Sequence, residues 1–226
     1  MLALVQNQDV LVVNARLGGD EAGAFAALSM LGGAALFAVW NAPMVLMPRA
    51  ADDATALPAA LGVTAIAGAV ATATALVLGG PLVETLVGPA YADAAPLLGP
   101  YVAAMAMLGL ARVLAGWRCA NGHARSTAVV GGLAVAGHLA LLVPATSIAT
   151  AATATLATTT ALAASLGGAV AWERSGLTAT GVVARLRAHV WSDAAARVAT
   201  LATVVGLGLR AAVTRGLWLD EAITVA

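Results

Sequence analysis

The sequence predicts an all-α fold: a polytopic membrane helix bundle of about seven transmembrane helices with one interfacial linker helix. Three observations carry that expectation. Only 10% of the 226 residues are charged and 61% are hydrophobic, whereas ordinary soluble domains carry about 25% charge. Mean hydropathy is +0.93. The stretch from Ala22 to Pro48 contains no formal charge, and at about 1.5 Å per residue it is roughly 40 Å long, enough to cross a ~30 Å hydrocarbon layer. A soluble core helix is rarely apolar on every face for that distance.

The first segment, Met1 to Leu17, is apolar but interrupted by Gln6, Asn7, Gln8 and Asp9, and again by Asn14. At about 25 Å it is slightly short for a span. Asp9 has two readings: an ionisable group facing a cavity or partner, as is usual at membrane depth, or a residue near the membrane surface. The chain starts and stops in apolar runs, so a longer parent protein is expected at both ends. Gly18-Gly19 then forms a turn, with Asp20 expected as N-cap and Glu21 beside the first-turn N–H groups of the long helix. Pro43 predicts a kink near Asn41, a polar residue able to face the bundle interior, and Pro48-Arg49 ends the helix at an interface.

Ala54 to Val83 is the next uncharged run; residues 59–79 predict a span that Gly80-Pro81 stops. Pro81 to Pro96 holds Glu84, Tyr91 and Asp93 without arginine and reads as a short amphipathic turn and helix at an interface, anchored by Tyr91. Leu97 to about Trp117 is a further span with Arg112 near its end. The loop Arg118 to Arg125 contains the turn signal Asn121-Gly122. Ser126 to Trp172 is uncharged and too long for one helix. Pro144 divides it into spans at 127–143 and 147–171, the second rich in Ala and Thr that permit close helix contact in lipid. Glu173 to Arg197 is polar, with Val183, Leu186 and Val190 at helical spacing and Arg185 and Arg187 opposite, as in a surface-lying linker. Val198 to Val213 is a seventh apolar segment, broken by Arg210.

Composition also excludes. All basic residues are arginine, formal net charge is +0, and no basic cluster resembles a nucleic-acid footprint, so no nucleic-acid partner is expected. Cys119 is the single cysteine and His123, His138 and His189 are far apart in sequence, which predicts no disulfide, no metal site and no cofactor. No basic n-region marks a cleavable signal peptide. Arginine sets the orientation, because short cytoplasmic loops retain positive charge. The ends holding Arg16 to Glu21, Pro81 to Pro96 and Pro144 carry Arg16 alone. The opposite ends carry Arg49, Arg112, Arg118, Arg125, Arg174, Arg185, Arg187 and Arg197, and are expected in the cytoplasm of a bacterial cell, with the chain in its plasma membrane.

Three stretches carry a family resemblance. Gln6 to Gly32 has a polar-then-apolar helix, a Gly-acid turn and an opening similar to "AGxYAA", with Phe25 at the aromatic position. Leu46-Met47-Pro48-Arg49 is similar to a helix end at the cytoplasmic face, and Gly88 to Leu98 (GPAYADAAPLL) to a "G-x-x-Y-x-x-A" segment before a span. Together, residues 1–172 resemble the C-terminal half of polysaccharide-biosynthesis membrane proteins, the oligosaccharide flippases related to the MATE-type exporters. That resemblance implies a six-span half transporter for a polyprenyl-linked saccharide, paired with a second half or with its own copy. Residues 173–197 are then the cytoplasmic linker. Residues 198–226, with Arg215 to Ala222 (RGLWLDEA), resemble the start of the GT-C glycosyltransferases, which use polyprenyl-phosphate sugars. This second likeness implies a catalytic role for Asp220, with Glu221 adjacent.

Transport is the expected function, and its candidate residues are Asp9, Asn14, Asn41, Arg49 and Arg112: polar groups for a cavity and arginines for phosphate. Arg49, Arg118 and Arg125 also fit a role in topology alone. The alternatives are the N-terminal part of a membrane glycosyltransferase, in which Asp220 accepts a proton or helps hold a cation, and an inactive membrane fragment. Six spans supply one half of an alternating-access architecture, so the single chain is not expected to transport alone.

Overall fold

The computed structural model describes residues 2–46 and 56–175, with side chains described from 3 to 40 and from 56 onward. Six α-helices follow in order: α1 Leu2–Arg16, α2 Gly19–Leu46, α3 Ala56–Leu86, α4 Ala95–Ala120, α5 Ala124–Leu142 and α6 Ile148–Arg174, with a 3-10 segment, Pro89–Ala94, between α3 and α4. They coincide with the first six expected segments. Five of them, all but α1, are long and apolar enough to cross a membrane, so the chain has the architecture of a multi-pass membrane protein. The seventh expected span and most of the linker lie outside the described residues.

Helix α4 is the hub. Of its apolar window 67% is buried, against 17% for α3 and for α5, so the outer faces of α3 and α5 are left to lipid. Residues Leu98, Tyr101, Val102, Met105 and Leu108 recur at helical spacing and are buried. Without a hydrophobic drive between helices in lipid, close packing needs small residues. Gly68 on α3 illustrates it: an added Cβ would stand 2.8 Å from the Cβ of Ala106 on α4, so the two backbones touch there.

Several sequence expectations are corrected. Gly80-Pro81 does not stop α3, which runs through Pro81 to Leu86. Proline removes one helical hydrogen bond; against that loss, Gly79 and Val83 are buried, and an added Cβ at Gly79 would lie 3.2 Å from the Ala95 carbonyl. Tertiary packing outweighs the local signal. The interfacial helix expected over Pro81 to Pro96 is therefore the end of α3, the 3-10 segment and the first turn of α4. Tyr91 lies against Gly23 of α2, where an added Cβ would meet its ring at 3.3 Å. Asp20 stands within the first turn of α2 beside Glu21 rather than before it, still near the positive end of the helix dipole. Helix α2 continues through Pro43; where the Asn41 side chain faces lies outside the described residues.

The ends of the helices group as arginine counting requires. Arg16, at the end of α1, donates to the Val143 carbonyl after α5, and Tyr91 meets Gly23, so the arginine-poor turns share one end. At the other end Arg118 belongs to the last turn of α4. It is buried, donating from Nε to Thr127 Oγ1 at 3.1 Å and from Nη2 to Ser126 Oγ at 2.8 Å. The Asn121-Gly122 turn closes there with Gly122 at φ +84, a left-handed conformation that glycine adopts without strain. Gly122→Ala is expected to cost about 1 kcal/mol locally. Limited proteolysis between 121 and 123 should then run roughly fivefold faster if local opening precedes cleavage.

Candidate functional site

The candidate site grows from α1. Val5, Asp9 and Val13 are buried one helical turn apart, which puts a carboxylate on the face that packs into the bundle. Asp9 is 0% exposed. Its Oδ1 accepts from its neighbour, the Val10 N–H, at 2.8 Å, and its Oδ2 accepts from the Tyr101 hydroxyl of α4 at 2.7 Å. The Thr155 hydroxyl of α6 stands 3.4 Å from the same Oδ2 and also reaches the Ala151 carbonyl at 3.1 Å.

The chain of contacts continues. His138 of α5 is 0% exposed, with Nε2 at 3.2 Å from Thr155 Oγ1 and Nδ1 at 2.7 Å from Gln8 Nε2. Gln8 Nε2 also donates to the Val135 carbonyl at 3.4 Å. With the Gln8 amide oriented to donate, as its bond to the Val135 carbonyl requires, His138 Nδ1 accepts and the ring proton is assigned to Nε2. That proton points to Thr155, whose own proton is shared between Ala151 and Asp9. Donors thus run from Gln8 through His138 and Thr155 to one carboxylate, which Tyr101 approaches from the other side. Four helices meet in this polar cluster: α1, α4, α5 and α6.

Its depth follows from counting. At about 1.5 Å per residue, Asp9, Tyr101, His138 and Thr155 all lie roughly 6 to 11 Å from the arginine-poor ends of their helices. Four polar side chains at one level inside apolar helices cannot be satisfied by the surrounding hydrocarbon groups, so each is served by the others. Tyr101 is held by packing as well. Its ring meets Phe25 of α2 edge to face, centroids 5.5 Å apart at 83°, and covers Gly32, where an added Cβ would be 2.5 Å from Cδ1.

Arg112 forms a second, separate polar point. On α4 it lies three turns from Tyr101, about 16 Å along the axis, toward the arginine-rich end. Its Nη2 donates to Gln6 Oε1 of α1 at 2.5 Å, and its Cζ stands 4.4 Å over the Trp40 ring of α2, a cation–π contact. The guanidinium is half-buried, and one of its five donors is engaged by Gln6.

The expected site residues therefore separate. Asp9 is at the centre of the cluster and Arg112 stands apart from it. Asn14 is exposed on the outer face of α1 and joins neither. The Asn41 side chain, Arg49, Asp220 and Glu221 lie outside the described residues. Tyr101, His138, Thr155 and Gln8 were not singled out by sequence reasoning; their one visible signal is a polar residue inside an apolar run at matching depth. Among the described residues no group of three or more His, Cys, Asp or Glu is arranged to hold a metal ion. An apolar crevice of about 210 Å³ opens between α2, α3 and α4, lined by residues that include Leu31, Ala71, Leu82 and Leu98, and it offers no charge to a ligand.

Fold and cluster together define a multi-pass helical membrane protein with a buried, ionisable polar core. No family model, curated protein or solved structure matches the chain.

Proposed function

We propose that this chain is one half of a flippase-type transporter in polysaccharide biosynthesis, moving a polyprenyl-linked saccharide precursor across a bacterial plasma membrane, with its arginine-rich end in the cytoplasm. The observation that carries the reading is Asp9: a carboxylate 0% exposed inside a bundle whose helices have membrane-spanning length and apolarity. Ionisable residues in that setting are expensive and mark transport pathways or their switching elements. Asp9 serves as the group whose charge state the helices answer to, since α4 and α6 both hydrogen-bond to it. Arg112, half-buried at the arginine-rich end, supplies a donor set suited to a phosphate entering from the cytoplasm. No enzymatic step is required of the chain in this reading.

The test is flipping of a fluorescent polyprenyl-diphosphate saccharide in vesicles reconstituted densely enough for copies of the chain to pair, since one copy supplies one half of the architecture. Asn retains a carbonyl oxygen for Tyr101 but not the charge, so Asp9→Asn should fold and yet lose about tenfold or more of the rate. Flipping by Asp9→Asn at the rate of the unmodified chain would remove the basis of the proposal.

A further inference from the structure

The outward face of α1 carries two carboxamides, whereas the exposed polar side chains away from the ends of the other helices, such as Thr74 of α3 and Thr153 and Ser165 of α6, are hydroxyls. Leu4, Asn7, Leu11 and Asn14 follow one another at spacings of three, four and three residues, and all four are exposed. The exposed large side chains of α3 include Val63, Ile66, Val70 and Val77, and those of α5 Val129 and Leu133; these belong in lipid. Asn7 does not. Counting from Arg16 at about 1.5 Å per residue, its amide stands roughly 14 Å below the arginine-poor end, near the middle of a ~30 Å hydrocarbon layer. Its Nδ2 donates to Ala3 O of its own helix at 2.8 Å; its carbonyl oxygen and second N–H remain to be satisfied, and hydrocarbon cannot do so.

We infer that this stripe is the interface with a second copy of the same chain, packed α1 against α1. The occupant follows from symmetry and chemistry. Two copies inserted in the same direction are related by a twofold axis along the membrane normal, so their α1 helices run parallel and each residue meets its own counterpart. Asparagine is self-complementary, one amide donating to the carbonyl of the other. Alternation of three and four is the heptad spacing of a left-handed helix pair, in which a polar Asn fixes register. Leu4 and Leu11 fill the positions between. No charge lies in the stripe, so identical copies meet without repulsion, while Asp9 and Gln8 point to the opposite, bundle-facing side. The inference concerns assembly and stands apart from the identity of any cargo, so the test below reads association and not flipping.

The experiment is disulfide trapping of the full chain in proteoliposomes, starting from Cys119→Ala because Cys119 is exposed. Single cysteines replace Asn7, Leu11, Asn14, and, as controls, Val77 and Leu133. Oxidation should give a covalent dimer at 7, 11 and 14 and none at the controls. Equal trapping at Val77 or Leu133, or none on α1, overturns the inference. A second measurement covers variants that fold poorly: energy transfer between labelled copies diluted in lipid. Asn7→Leu with Asn14→Leu should weaken association roughly tenfold, and Asn7→Gln, which keeps both donor and acceptor, should restore much of it. Unchanged association in the double leucine variant also overturns it.

Discussion

Gly32→Val should destabilise the bundle by wedging α2 away from the Tyr101 ring of α4. An added Cβ at Gly32 would stand 2.5 and 2.6 Å from Cδ1 and Cε1 of Tyr101 and 3.2 Å from Met105 Cγ. The obstructing ring cannot move aside: Tyr101 is 0% exposed, locked edge to face on Phe25 and tied through its hydroxyl to Asp9. Overpacking of this kind costs about 1–3 kcal/mol, and a displaced ring also gives up its bond to the carboxylate. The neighbouring Gly33 supplies the control, because nothing lies within 4 Å of a Cβ added there. Gly33→Ala should be neutral or slightly stabilising through helix propensity. Denaturant unfolding in detergent micelles, followed by tryptophan fluorescence, measures both; similar losses at 32 and 33 would mean that Tyr101 is not closely packed on α2.

The second large effect belongs to the Asp9–Tyr101 pair. Asp9→Leu leaves a buried phenol hydroxyl without its acceptor, which costs about 1–3 kcal/mol. Asp9→Leu with Tyr101→Phe removes both partners, so the double variant should recover part of that loss. A double-mutant cycle isolates the coupling, expected near ~1 kcal/mol, above the average of about 0.6 and below the maximum of about 1.7 found for polar pairs between membrane helices. Strict additivity of the two single changes would show that the hydroxyl and the carboxylate are energetically independent.

What could be read from the chain divides by distance along it. Long uncharged runs bounded by polar turns located α2, α4, α5 and α6 to within a few residues, since apolarity over a span length needs no tertiary information. The end of α3 was different. Gly80-Pro81 is a sound local breaker, and only the burial of Gly79 and Val83, a contact with a helix not yet placed, keeps the helix intact. The candidate site shows the same limit more strongly. Asp9 stood out as a charge within an apolar segment, but its partners are 92 and 146 residues away. His138 has no ligand-type neighbour at helical spacing in the sequence. A single polar residue in each of several apolar helices acquires meaning only when the helices are aligned by depth, and that alignment requires knowing which ends lie together.

Helix α3 has a consequence for where the protein is comfortable. Its 31 residues make a rod of about 46 Å, half as long again as a ~30 Å hydrocarbon layer. Ala56 to Val83 bears no charge, so shielding that surface from water calls for a tilted helix or a thicker bilayer. Backbone contact at Gly68 and Gly79 joins α3 to α4, so α3 cannot lean by itself. Hydrophobic mismatch is therefore transmitted to the whole bundle, and lipid thickness sets the angle at which the enclosed carboxylate and its four helices stand in the membrane.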